Sequence, residues 1–205
     1  MEKIAILADS GCQIPVDSRE NEGIFIAPLT ITMEGKSYLD DIEIHSIDVF
    51  KRMEKDDIMV MTSQPSTGSL QEAVQKIKDQ GYSHVIGLPI ATGLSSTMNG
   101  MKLACDMLEM PVTLVDTKGT ASNQKYLVEV AAKLAREGKS PEEIKDILEK
   151  LVEDSATIIM VPNLEHLKKG GRITPAVAAL AGLLKIVPIM KLNYSLGGKI
   201  DSFGK

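Results

Sequence analysis

Short runs of consecutive apolar residues, rich in Val and Ile, alternate along the chain with longer segments whose apolar positions recur at helical spacing. The runs predict strands at 3–8, 24–33, 59–62, 84–89, 112–116 and 157–162. The periodic segments predict helices at 46–55, 66–80, 95–108, 121–136 and 141–153. Local punctuation agrees: Gly81 and Gly138 close helices, and Ser140-Pro141-Glu142-Glu143 offers an N-cap, a first-turn proline and acidic residues. Strand and helix in alternation is the signature of an α/β fold, here a three-layer domain with a mainly parallel sheet.

After residue 162 the texture changes to a basic, Gly-rich turn and an Ala/Leu-rich helix. Two further apolar runs, at 186–193 and 199–203, read as strands around a turn at Ser195-Leu196-Gly197-Gly198. The expected organisation is therefore an N-terminal α/β domain over 1–155 and the start of a second α/β (α+β) domain over 156–205. The final strand would leave a sheet edge open, so this second domain is expected to be incomplete.

Composition narrows the classes of function. With 43% hydrophobic and 25% charged residues the chain is an ordinary folding sequence. A net charge of −5 gives no general attraction for phosphate backbones, so nucleic acid is not an expected partner. No apolar stretch approaches membrane-spanning length and the start lacks a secretory run, so stable membrane insertion is not expected and the expected location is cytoplasmic. Cys12 and Cys105 stand in unlike contexts and are expected to be small buried or half-buried side chains. His45, His84 and His166 lack ligand spacing, so surface or capping roles are expected and no metal. Aromatics are 3% of the chain, Trp is absent and Met reaches 11, which gives an adaptable aliphatic interior suited to a flexible alkyl chain. Any single Met still reads first as core filler.

Two hydroxyl-rich segments carry the candidate chemistry. Thr62-Ser63-Gln64-Pro65-Ser66-Thr67-Gly68 follows one predicted strand and Gly93-Leu94-Ser95-Ser96-Thr97 another, each before a helix. Free N–H groups and hydroxyls at such turns accept an anion. Each turn alone reads equally well as a helix cap. Neither has the spacing of a phosphate loop, and Gly93-x-Ser95 lacks the next glycine of a hydrolase nucleophile turn. Asp9-Ser10 and Asp116-Thr117 also close strands, where side-chain turns are the expected role. Lys168-Lys169-Gly170-Gly171-Arg172 reads either as a helix end with its Gly cap or as a basic patch for an acidic head group or partner.

Taken together, Asp9-Ser10 with Ile14-Pro15, Thr62-Ser63-Gln64-Pro65-Ser66, Gly93-Leu94-Ser95 with Thr97, Val115-Asp116, Leu167-Lys168-Lys169-Gly170-Gly171-Arg172-Ile173 and Gly197-Gly198-Lys199-Ile200 resemble the DegV family of bacterial fatty-acid-binding proteins. The resemblance spans essentially the whole chain. It implies a two-domain α/β protein that holds one long-chain fatty acid non-covalently, without a cofactor. The carboxylate would be bonded by Thr62 and Ser95, with Ser63 and Ser96 as neighbours. In the kinase branch of the family a separate ATP-binding fatty acid kinase subunit phosphorylates the presented acid, so no catalytic residue is expected here. Members carry further sequence after the equivalent of Gly204-Lys205, including a head-group histidine and an arginine. Gly11-Cys12 replaces the more usual Thr-Ser after Asp-Ser, and Lys118 to Lys125 departs from the small residues usual after Val-Asp. Two alternatives stand beside this: the substrate-binding subunit of a dihydroxyacetone-like kinase, which needs a histidine poised for a small carbonyl compound, and a nucleotide-binding regulator using the Gly93 turn.

Overall fold

The protein was analysed as a computed structural model, which describes residues 3–56, 58–161, 164–174, 177 and 188–203. Four strands, β1 (Ile4–Asp9), β2 (Ile24–Ala27), β6 (His84–Leu88) and β7 (Val112–Leu114), form an all-parallel sheet in the order β2-β1-β6-β7. Along β1 the side chains alternate between two cores, which explains why the strand is apolar up to its last residue, Asp9. Ile4, Ile6 and Ala8 pack with Leu127, Val128 and Ala131 of α4 (Ala121–Arg136) and Ile144 and Leu148 of α5 (Pro141–Glu153). Ala5 and Leu7 face Leu70, Val74 and Ile77 of α2 (Thr67–Asp79) and Met101 and Ala104 of α3 (Thr97–Met107). The predicted three-layer α/β arrangement is the one observed.

The predicted helix over 141–153 has the expected bounds and start. The Ser140 hydroxyl accepts the Glu143 N–H and the Glu143 carboxylate accepts the Ser140 N–H, a complete capping box. The run at 24–33 is corrected: it is not one strand. Pro28 interrupts it, since proline cannot donate to a ladder, and the chain leaves β2 to form β3 (Thr30–Met33) in a different sheet. There β3 pairs antiparallel with β4 (Lys36–Leu39), which the periodicity did not predict, and with β5 (Val60–Ser63). The predicted strand at 59–62 thus belongs to a small antiparallel sheet rather than to the parallel one. Helix α1 (Ser46–Asp56) covers that sheet through Val49 and Met53.

A third sheet, β10-β9-β8, is antiparallel: β8 (Ala156–Met160), β9 (Ile189–Asn193) and β10 (Asp201–Ser202). Between β8 and β9 lies the short helix α6 (Glu165–Gly170), ended by Gly171 at φ 70°. The Ala/Leu-rich helix predicted after residue 173, apart from Val177, and residues 186 and 187 of the predicted strand lie outside the described residues. This third sheet meets the parallel domain where Gly93 and Gly198 touch. A Cβ on Gly93 would lie 2.1 Å from the Gly198 carbonyl oxygen and 2.8 Å from the Lys199 nitrogen, so no side chain fits there. Gly198 itself sits at φ 74°, in the left-handed region.

Candidate functional site

Strand order around the parallel sheet reverses between β1 and β6, the position at which open α/β sheets leave a crevice at their carboxyl ends. Asp9, the last residue of β1, is buried there. Its carboxylate accepts the Ile90 N–H at 2.8 Å, the Gly11 N–H at 3.0 Å and a Gln124 side-chain N–H at 3.2 Å. One side chain so ties the ends of β1 and β6 to α4. Burial nevertheless dominates and pushes the Asp9 carboxyl up to about 6. The neighbouring turn is held by Asp116, which accepts the Thr92 N–H at 3.1 Å and also bonds the Thr92 hydroxyl, and pairs with Lys118 at 2.6 Å. Burial would raise this carboxyl, but the Lys118 and Thr92 donors outweigh it and hold it below the usual range. Both aspartates thus take the turn-ordering roles expected of them.

The turn they order, together with β5, β8 and α6, encloses a cavity of about 370 Å³. Thr62 and Ser63 enter it from β5, Ser95 from the segment before α3, and Ile159, Val161, Leu167 and Ile200 from the side of the third sheet. Thr62 and Ser95 are therefore brought together, although not as two equivalent turns. Thr62 lies inside an antiparallel strand, paired with Ile31, whereas Ser95 does stand at a parallel strand-to-helix turn. The Ser95 hydroxyl bonds that of Thr97 at 2.8 Å. Ser96 is the exposed N-cap residue of α3 and does not line the cavity.

The basic segment divides. Lys168 and Lys169 are exposed in the last turn of α6, and Gly171 is its left-handed cap, the helix-end geometry read from the sequence. Gly170 and Arg172 reach the cavity wall. The Arg172 guanidinium donates to the carbonyls of Gly170 at 2.7 Å, Leu94 at 3.3 Å and Thr62 at 3.3 Å. It stitches β5 and the Ser95 segment together using three of the five N–H groups a guanidinium carries. Among the described residues it makes no ion pair.

Two wall residues were missed by sequence reasoning. Thr120 follows β7 and precedes α4, so the strand-end rule applied to Ser95 could have found it. Thr62, Thr120 and Leu167 also line an adjoining cavity of about 720 Å³ that runs beside Ser10, Ile14 and Phe50. His166 is the other: a surface or capping role was expected, yet it lines the smaller cavity, and its Nδ1 is buried without a hydrogen-bond partner. No sequence signal marked it, because only the turn of α6 aims it inward. His84 bonds Thr113 at 2.9 Å and His45 bonds Asp41 at 3.1 Å. Cys12 and Cys105 are buried as expected, and burial pushes their thiols up to about 12 and about 11, respectively. Among the described residues no group of three or more His, Cys, Asp or Glu is placed to hold a metal. No helix among the described residues is long and apolar enough to cross a membrane.

Comparison with known proteins decides the family. The family model described as an uncharacterised protein, DegV family, matches residues 3–205. The chain belongs to the DegV family. A DegV domain-containing protein of Staphylococcus aureus is 33% identical over 193 residues, which cover 94% of this chain and 68% of that protein. Among solved structures, a DegV family protein of Thermus thermophilus described for its fatty acid binding is 31% identical, with a TM-score of 0.84, over 98% of this chain and 71% of that one. DegV of Bacillus subtilis, a fatty acid binding protein, is 29% identical with a TM-score of 0.85, over 100% and 72%. DegV relatives thus carry the same architecture and bind fatty acids as described.

The Asp9 geometry makes a pH prediction. A carboxyl raised from 3.8 to about 6 on folding stabilises the fold fully below about pH 4, and that contribution is lost as pH rises through 6. The stability of the protein minus that of Asp9→Asn, from urea unfolding, should therefore fall between pH 4 and pH 7, by on the order of 3 kcal/mol. A difference that stays constant across this range would contradict the assignment.

Proposed function

We propose that the chain binds a long-chain fatty acid non-covalently in the cavity between the parallel domain and the third sheet, with the carboxylate at Thr62 and Ser95. The observation that carries this reading is the make-up of one wall. Thr62, Ser63, Ser95 and Arg172 line a cavity whose wall, apart from Thr120, His166 and Gly170, is otherwise made of Leu, Ile, Val and Met. Hydroxyl and guanidinium donors suit an anion, and the two Arg172 N–H groups not committed to carbonyls can join them. Burying the tail releases roughly 0.8 kcal/mol per methylene before the costs of ordering, so the tail sets affinity. Charge-assisted hydrogen bonds of roughly 1.5–3 kcal/mol each fix orientation and favour the acid over its ester. The fatty acids described for the Thermus thermophilus and Bacillus subtilis relatives support the ligand class.

On this reading the chain is a carrier rather than an enzyme, residues 1–155 and 156–205 are its two domains, and its setting is the cytoplasm. It presents the acid to a separate ATP-dependent kinase subunit for acyl-phosphate formation. Ser96, the sequence neighbour of Ser95 at the α3 cap, stands outside the cavity wall. Lys168, Lys169 and Gly171, exposed beside the cavity mouth, are the surface for that partner. A dihydroxyacetone-like kinase subunit has one observation in its favour, since His166 does reach the cavity. The surrounding wall of Leu94, Ile159, Val161, Leu167 and Ile200 suits an alkyl chain better than a small polar ketone.

Two measurements test the reading. Thr62→Ala and Ser95→Ala should each weaken binding of a long-chain acid by about tenfold or more, the equivalent of one charge-assisted hydrogen bond, with the thermal midpoint held. Unchanged affinity in both variants would remove the head-group assignment. Reversing Lys168 and Lys169 to Glu should slow kinase-coupled phosphorylation of the bound acid while leaving its affinity within about twofold, because exposed charges act mainly on encounter. Equal losses in the two assays would place these lysines in lipid binding instead.

A further inference from the structure

His166 is the one imidazole among the described residues that lines the Thr62–Ser95 cavity. Its Nδ1 is shut away from solvent and finds no acceptor. A proton on that nitrogen would be a buried, unpaired donor, a costly arrangement. A singly protonated ring therefore carries its proton on Nε2, which makes the other edge of the imidazole a donor. The other polar side chains on the cavity wall can donate as well. Arg172 is donor-only, and the Thr62, Ser63 and Ser95 hydroxyls are able to donate. The Leu94, Val161 and Leu167 side chains on that wall offer the ring no acceptor. A wall whose polar side chains can all donate suits a carboxylate, which accepts only.

We propose that His166 Nε2–H donates a hydrogen bond to the carboxylate of the bound acid, so that α6 contributes its own specificity-determining residue to the head-group site. The assignment rests on the fatty-acid reading given above and adds to it a selector for free acid over ester. The buried Nδ1 edge is closed to ligand, which leaves the Nε2 edge to meet the carboxylate.

Binding of palmitate and of methyl palmitate to the 205-residue chain, to His166→Phe and to His166→Gln tests it. His166→Phe should lose about tenfold in affinity for palmitate and less than about twofold for the ester. His166→Gln, whose amide N–H can replace the ring donor, should regain most of that loss. Equal losses for acid and ester would mean that the ring only packs, and an unchanged affinity for palmitate would mean that it makes no contact; either overturns the assignment. Nitrogen-15 spectra of histidine-labelled wild type require no variant to fold. They should show His166 protonated on Nε2 and should shift that proton downfield when palmitate is added, and a ring protonated on Nδ1 alone, or one indifferent to palmitate, overturns it too. If the wild type binds palmitate and His166→Phe is indifferent, only the His166 assignment fails. A wild type that refuses palmitate brings down the fatty-acid reading, and this inference with it.

Discussion

Gly93 and Gly198 approach so closely that backbone meets backbone, and the candidate site depends on that contact. With 2.1 Å between a would-be Cβ and the Gly198 carbonyl oxygen, any side chain at Gly93 would push the third sheet away from the ends of β1 and β6. The two turns lie on opposite sides of the junction, one ordered by Asp116 and the other by Asn193, whose side chain caps the turn before Gly197. Where they touch, Ala91 from the parallel domain joins Met190, Leu192 and Ile200 in one apolar cluster. Arg172, which follows α6, reaches across to β5 and to the Ser95 segment through the Thr62 and Leu94 carbonyls.

Asp9 serves the same junction from beneath. A buried carboxylate is costly unless its oxygens are bonded, and here three N–H donors from three parts of the chain converge on it. The position of Ile90, and so of the segment leading to Ser95, follows from that demand. Gly11 fits the crowding, since a Cβ there would lie 2.7 Å from the Asp9 carboxylate. The hydroxyl that the family resemblance led one to miss at residue 11 would have no room in this arrangement.

The parallel sheet was legible because its signal is strong and local. Uninterrupted apolar strands and well-punctuated helices such as Pro141–Glu153 leave few alternatives. The small sheet was not, because β4 (Lys36–Leu39) carries a polar sequence and is half-exposed, and because Pro28 splits an apolar run that looks continuous. Thr62 and Ser95 were legible as hydroxyl-bearing segments, but the reason they meet is not in either segment. A crossover places the end of β6 beside β1, and Arg172, more than a hundred residues from Thr62, closes the distance. His166 became visible only through that tertiary arrangement, since it stands in no motif, whereas Thr120 sits at a strand-to-helix turn of the same kind as Ser95.

On the proposed reading, recognition of an alkyl carboxylate would combine two features of one cavity: an apolar chamber, and a wall that carries the Thr62 and Ser95 hydroxyls and the Arg172 guanidinium. A crystal structure of the protein with an ω-bromo long-chain acid locates both ends of the ligand at once, the bromine by its anomalous signal and the carboxylate by its density. The account predicts the carboxylate within hydrogen-bonding distance of the Thr62 and Ser95 hydroxyls and the bromine buried among aliphatic side chains. A carboxylate held elsewhere on the protein, or a tail lying outside the chamber, would contradict it.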